Sequence, residues 1–452
     1  MKKVNSALFL IALMAVGVTA VADDVSVTVY NSNLGVIREI RDLEFTKGAG
    51  MVSFIDVPTM IDATSVGFEL IDKSKSVAIL EQNYAYDLVS PDKIYAKYID
   101  REIDVFNKDG QFFSGMLLSS AGGALVLKDR SGKIQIIRMN QVVNVNFPQL
   151  PEGLITRPTL FWRYQSDFSG SAACQVSYQT GLMSWSAEYV GLLSDDEESL
   201  GLTGWSSITN NSGATYKDAT LKLIAGDIHR APQKRSRARD EILMEKAMVP
   251  QAGMGFEEKA FFEYHMYTLP RRATIANKEI KQIALFEPAD ARVKKEYYYE
   301  PHKSNKKVRV VINFTNSKED GLGMPLPAGR VRMFKKDTDG AMVLLGEDRI
   351  DHTPKDEEVK LTVGYAFDIS AEEKQTSYEK ISTRVEERTF EINLRNHKKE
   401  AVDIFIEKLL YGDWKIVNTT HEFTKPDATT LKYEIPVPAD GEVTVTFTVR
   451  TS

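Results

Sequence analysis

Only one cysteine, Cys174, stands in 452 residues, so the chain can close no internal disulfide and must draw its stability from burial. The plain reading of a lone cysteine is a small buried hydrophobe. The sharper readings are an intermolecular bridge or a nucleophile. Histidine is scarce as well. Its six residues, His229, His265, His302, His352, His397 and His421, follow no metal-ligand spacing. No G-x-S-x-G, H-E-x-x-H, phosphate-cradling glycine loop or dinucleotide fingerprint occurs. Basic charge is in deficit, with 57 Lys and Arg against 63 Asp and Glu and a net charge of −6, which argues against nucleic acid as a partner. No apolar run reaches the roughly 20 residues of a membrane-spanning helix, so no transmembrane anchor is expected. Neither a cofactor nor a metal is expected, and the reading leans away from an enzyme.

Several positive features remain. Met1-Lys2-Lys3, the apolar run Ala7 to Val18 and the small residues Ala20-Val21-Ala22 before Asp23 form the three-part pattern of a secretory signal peptide over residues 1–22. The expected location is therefore outside the cytoplasm, in the periplasm or at the cell surface. The remaining length suggests roughly two to four domains.

Most segments alternate with period two. Val25, Val27 and Val29 interleave with Ser26, Thr28 and Tyr30, and Val443, Val445, Phe447 and Val449 interleave with Thr444, Thr446 and Thr448. Half-buried strands have this pattern. Turn tripeptides such as Lys108-Asp109-Gly110, Arg130-Ser131-Gly132 and Thr338-Asp339-Gly340 recur at short intervals. The predicted class is all-β, with several sandwich-like, immunoglobulin-like domains and one small barrel of the SH3 or Sm kind. The expected units are an N-terminal β domain over 23–90, the small barrel over 91–149, and sandwich strands over 150–228. A flexible loop follows over 229–260, and then a continuation over 261–452 that ends in an immunoglobulin-like unit. The barrel's five strands read as Ile103–Phe106, Phe112–Leu118, Leu125–Leu127, Ile134–Ile137 and Val142–Phe147. Near the end, Arg388–Leu394 and Val402–Leu409 flank a polar turn and read as a long hairpin.

The 229–260 segment breaks the alternation. It carries Arg235, Arg237 and Arg239, then Met244, Met248 and Met254, and reads either as a docking arm or as a solvated loop. Trp205 alternates with Thr203, Ser207 and Thr209 on the more polar face of its strand, where it would stack on a sugar or a partner unless a neighbouring layer covers it. The core reading is the commoner one for tryptophan. Tyr297, Tyr298 and Tyr299 put aromatics on both faces of a strand, so at least one should be accessible. Glu263 and His265, two apart, would share a strand face and need one more carboxylate to hold a metal. The runs Asp195-Asp196-Glu197-Glu198 and Asp356-Glu357-Glu358 offer carboxylates for glycoside hydrolysis, although such runs usually just stay solvated.

Several stretches bear a likeness taken together. They are Val29–Glu39, Gln82–Leu88, Leu150–Leu154 with Thr156–Leu160, Leu221–Asp227, Leu326–Arg332, and Gly346–Asp348 with His352–Lys355. On these the chain resembles the bacterial family known as domain of unknown function 4139, some relatives of which are labelled mucoidy inhibitor A. The resemblance implies an exported, β-rich protein. It supplies no catalytic motif, and the chain lacks the long helical insertion of those relatives. Read from the residues alone, Arg330, Arg332, Glu347 and Asp348 would form cross-strand ion pairs. Three functions are carried forward: a non-enzymatic binding or assembly module of the cell envelope, a carbohydrate-binding or carbohydrate-active protein, and a structural spacer of the surface. The partner would be an envelope protein or a polysaccharide.

Overall fold

A computed structural model describes residues 24–151, 153–226, 228–229 and 256–452. The proposed signal peptide and the three arginines 235, 237 and 239 lie outside the described residues. Strand accounts for 64% of the structure and helix for 2%, divided among several separate sheets, so the chain is an all-β, multi-domain sandwich protein. Val25, Val27 and Val29 point into the core from Asp24–Tyr30, as do Val445, Phe447 and Val449 from Gly441–Thr451. The alternating partners stand on the opposite faces, as the strand period requires.

The longest wall of the molecule is an eight-stranded sheet. Its order runs Glu257–Phe261, Tyr264–Thr268, Tyr216–Ala225, Asp24–Tyr30, Leu34–Phe45, Gly170–Thr180 and Ile61–Leu70, with Ala273–Ile275 added on Tyr216–Ala225. A six-stranded sheet shares a core with it. There Glu279–Ala284, Ser199–Asn210, Met183–Leu193, Gly329–Lys336 and Met342–Ile350 follow in order, with Ala289–Arg292 also on Ser199–Asn210. A three-stranded sheet of Gly48–Ile55, Thr159–Ser166 and Val77–Ala85 joins the same core through Phe54, Leu160, Trp162 and Tyr164.

This pairing corrects the expected unit over 23–90. Asp24–Tyr30 lies parallel to Tyr216–Ala225, Leu34–Phe45 pairs with Gly170–Thr180, and Thr159–Ser166 sits between Gly48–Ile55 and Val77–Ala85. No apolar face of the first five strands is closed without the strands that follow residue 158. What separates the two halves in sequence is the small barrel, which is an insertion. Its strands, Glu102–Asn107, Phe112–Ser119, Ala124–Lys128, Ile134–Arg138 and Val142–Asn146, form a five-stranded sheet around Ile103, Val105, Leu117, Leu125, Leu127 and Ile137. A short helix, Pro91–Lys97, precedes them. Ser90 caps it by accepting from the Lys93 amide, and Pro91 occupies its first turn.

The terminal sheet has eight strands in the order Trp414–Thr419, Gly441–Thr451, Glu386–Asn396, Glu358–Lys380, Lys307–Thr315, Lys294–Tyr299, Val402–Leu409 and Thr430–Val437. It curls on itself, for strands from opposite ends of this order share one core and the Tyr433 ring lies 5.8 Å from that of Phe447. The expected hairpin is therefore absent. Glu386–Asn396 pairs with Glu358–Lys380 and Gly441–Thr451, whereas Val402–Leu409 pairs with Lys294–Tyr299 and Thr430–Val437. Both strands alternate and both feed the same core, but the polar turn carries the chain across that core instead of back alongside itself.

The two ends of the barrel insertion are stitched together. The Val89 amide donates to the Ile155 carbonyl at 2.9 Å, and the Ile155 amide donates to the Asp87 carbonyl at 3.1 Å. A chain in which residues 91–149 are replaced by a short Gly/Ser linker should keep its fold, with a melting temperature within about 4 °C of the parent by circular dichroism. Loss of cooperative unfolding would show that the barrel is part of the host core.

Candidate functional site

Trp205 sits where the alternation puts it. On Ser199–Asn210 the residues Leu202, Gly204, Ser206 and Ile208 are buried, and Thr203, Trp205, Ser207 and Thr209 are half-buried on the other side. Trp205 is therefore half-buried, on the face turned away from the shared core. Directly opposite Trp205 is Glu188, and beyond Glu188 stands Arg330. Glu188 accepts from Arg330 at 3.0 Å and from Arg332 at 3.2 Å, and Arg332 also donates to Glu347 at 3.0 Å. Asp348 takes no part in this ladder and accepts from the Thr362 amide at 2.6 Å.

The three tyrosines are not accessible, which corrects that expectation. Their strand is interior, with Lys307–Thr315 on one side and Val402–Leu409 on the other. Tyr297 and Tyr299 enter the terminal core, and Tyr298 is only 3% exposed although it faces outward. Its ring stacks on Phe405 at 5.2 Å and lies under Arg309, Lys432 and Lys360 at 5.3, 5.6 and 5.8 Å. The stems of long cationic side chains provide the cover that a second layer would otherwise give.

Cys174 is fully buried, and burial pushes its thiol up to about 12. That leaves the hydrophobe reading and removes both the bridge and the nucleophile. The acidic run at 195–198 is spoken for. Burial alone would raise the Glu197 carboxyl, but Lys295 and Lys335 outweigh it and hold the group below its usual range. The Ser194 hydroxyl and the Glu198 amide do the same to Asp196. A glycosidic general acid needs the opposite shift.

The last five residues ahead of Phe262 are a strand and not part of a loop. Glu257–Phe261 pairs with Tyr264–Thr268 across the two-residue turn Phe262–Glu263. Glu263 thus lies in the turn, and His265 takes a different carboxylate: its Nδ1 lies 2.7 Å from Glu258. Among the described residues no group of three or more His, Cys, Asp or Glu is arranged to hold a metal. Beside this hairpin a small apolar cleft opens between His265 and Tyr267, Pro325–Pro327, and His352–Pro354. Tyr267 donates to the Pro325 carbonyl at 3.1 Å and Tyr189 to the Pro327 carbonyl at 2.8 Å, so two buried phenols pin the proline strap. The Ala328 amide donates to His352 Nδ1 at 3.1 Å. The cleft has about 50 Å³ of usable space, far below the roughly 300 Å³ at which small-molecule pockets begin.

No protein-family model matches the chain, and no curated protein does. Among the described residues no helix is long and apolar enough to cross a membrane. Sequence reasoning missed the Glu258–His265 pair and the hairpin that makes it. The one local signal was Tyr264-His265-Met266-Tyr267, a short β-favouring run beyond the arginine-rich stretch.

Glu197 ionises in the folded chain below its unfolded value, so its ion pairs stabilise the protein above the usual glutamate range. That contribution fades as pH falls through the folded value. Glu197→Gln should therefore flatten the acid side of a melting-temperature profile between pH 7 and 3, while an unchanged profile would mean that Lys295 and Lys335 do nothing for stability.

Proposed function

We propose that the protein is an exported module of the bacterial cell envelope that binds or assembles with a partner protein by strand addition and performs no chemistry of its own. The leader pattern and the family resemblance support the location. The observation that carries the binding reading is the edge strand Glu257–Phe261. Among the described residues it ends the eight-stranded sheet, pairs on one side only, and is the one strand exposed at every position. Its free side offers unpaired amides and carbonyls to an extended segment. Its last residue, Phe261, and the turn residue Phe262 are 54% and 85% exposed. Phe262 holds φ at 57°, a conformation that bulky residues avoid and that tends to persist where function keeps it.

The two-residue turn makes Phe261 and Tyr264 the closing pair, so the Ala260 amide points to the free edge. Ala260→Pro removes that donor without touching the pairing to Tyr264–Thr268. In crosslinking and affinity purification from the native envelope, the parent should retain a stoichiometric protein. Ala260→Pro and Phe262→Gly should lose it with melting temperatures no lower than the parent's by more than about 2 °C. A partner held equally by all three chains would rule out this edge.

A further inference from the structure

The face that bears Trp205 belongs to the six-stranded sheet and is separate from the strand edge Glu257–Phe261. Strand pairing lays its side chains out in rows. Gln282, Ser207 and Ser186 form one, and Ala284, Trp205, Glu188, Arg330 and Arg349 form the next. Side chains opposite one another across a ladder share a face, so these two rows lie side by side on a single surface. Gln282, Ser186 and Arg349 are exposed, and Trp205, Ser207, Glu188 and Arg330 are half-buried.

The four tryptophans divide by what their indole N–H meets. Trp162 donates to Gln82, Trp185 to the Ile224 carbonyl and Trp414 to the Ala428 carbonyl, and all three are buried. Trp205 has no such bond among the described residues, and its ring is partly open to solvent. The arginines divide in the same way. Arg330 and Arg332 are neutralised by Glu188 and Glu347 together. Arg349, at the end of the row, has no carboxylate partner among the described residues.

We propose that this face binds an acidic polysaccharide. The indole stacks on the C–H face of a sugar ring, a contact that suits an aromatic flanked by hydroxyl and amide groups better than one set in an apolar patch. Ser186, Ser207 and Gln282 exchange hydrogen bonds with sugar hydroxyls. Arg349 takes a carboxylate of the same chain. Three strand spacings of about 4.8 Å separate it from Trp205, so the ligand must run about 14 Å across the sheet, more than one ring. A single small sugar would not bridge the two groups. Because Glu188 and Glu347 already neutralise Arg330 and Arg332, Arg349 is the one cation of the row left to select for negative charge.

The test uses the full chain titrated with polygalacturonate, hyaluronate and xanthan, with dextran as the neutral control, read by tryptophan emission and by iodide quenching. Since the other three indoles are buried, a change in iodide access reports Trp205. At least one acidic polymer should shift the emission and shield the indole. Trp205→Ala should weaken binding roughly tenfold or more, and Trp205→Tyr should restore most of it. Arg349→Ala, at an exposed position, should weaken binding of acidic polymers roughly tenfold with an unchanged melting temperature. No change with any polymer, or binding undiminished in Trp205→Ala, would overturn the site. Equal binding of dextran and the acidic polymers, or indifference to Arg349→Ala, would overturn the selection for acidic chains.

Discussion

Inside the main core, a carboxylate and a guanidinium face inward from one strand of the wall sheet. Glu39 and Arg41 are only 3% and 8% exposed. Glu39 accepts from Arg41 through both Nε and Nη2 and from the Tyr178 hydroxyl. Arg41 sends its remaining nitrogen to the Ile55 carbonyl at 2.7 Å and lies 4.1 Å over the Phe54 ring. Burying two charges costs several kcal/mol unless each is hydrogen-bonded, and here each is. Burial, reinforced by Tyr216 and by Glu39 itself, keeps the Tyr178 phenol well above its usual range, so it stays a donor. The pair therefore ties three strands together: Leu34–Phe45 that bears it, Gly170–Thr180 through Tyr178, and Gly48–Ile55 through Ile55 and Phe54.

That tie explains why a chain so interrupted can hold one core. The wall sheet is assembled from segments on both sides of the barrel and on both sides of residues 230–255. Hydrophobic burial alone is non-directional and would tolerate the three-stranded sheet at several positions on the wall. A guanidinium held by two hydrogen bonds to one carboxylate oxygen and by a third to a fixed carbonyl has far less freedom. The functional surfaces then follow from what the wall leaves unpaired. One end of its strand order is the exposed edge Glu257–Phe261, and the sheet packed on its inner face turns the Trp205 rows outward.

How much of this was legible in the residues depends on the range of the interaction. The barrel's strands lie within 60 residues and pair mostly with their neighbours, so their limits could be read almost directly. The face of Trp205 followed from alternation, but whether another layer covered it was a tertiary matter. The Tyr297–Tyr299 strand looked half-exposed because nothing near it in sequence announces Phe405, Lys360 or Lys432. Arg388–Leu394 and Val402–Leu409 had the pattern of a hairpin, since a turn that crosses a core and a turn that returns alongside use the same polar residues. Glu39 and Arg41 share the inward face with Ile37 and Leu43, a local conflict between pattern and burial that makes sense only with Tyr178 and Ile55 in place.

The role of the Glu39–Arg41 pair is tested most directly by urea unfolding of Glu39→Leu beside the double variant Glu39→Leu/Arg41→Met. Removing the carboxylate alone strands a buried guanidinium and should cost about 3–5 kcal/mol, most of which the double variant should recover. A single variant within about 0.5 kcal/mol of the parent would contradict the account and mean that packing, not this ion pair, holds the sheets in register.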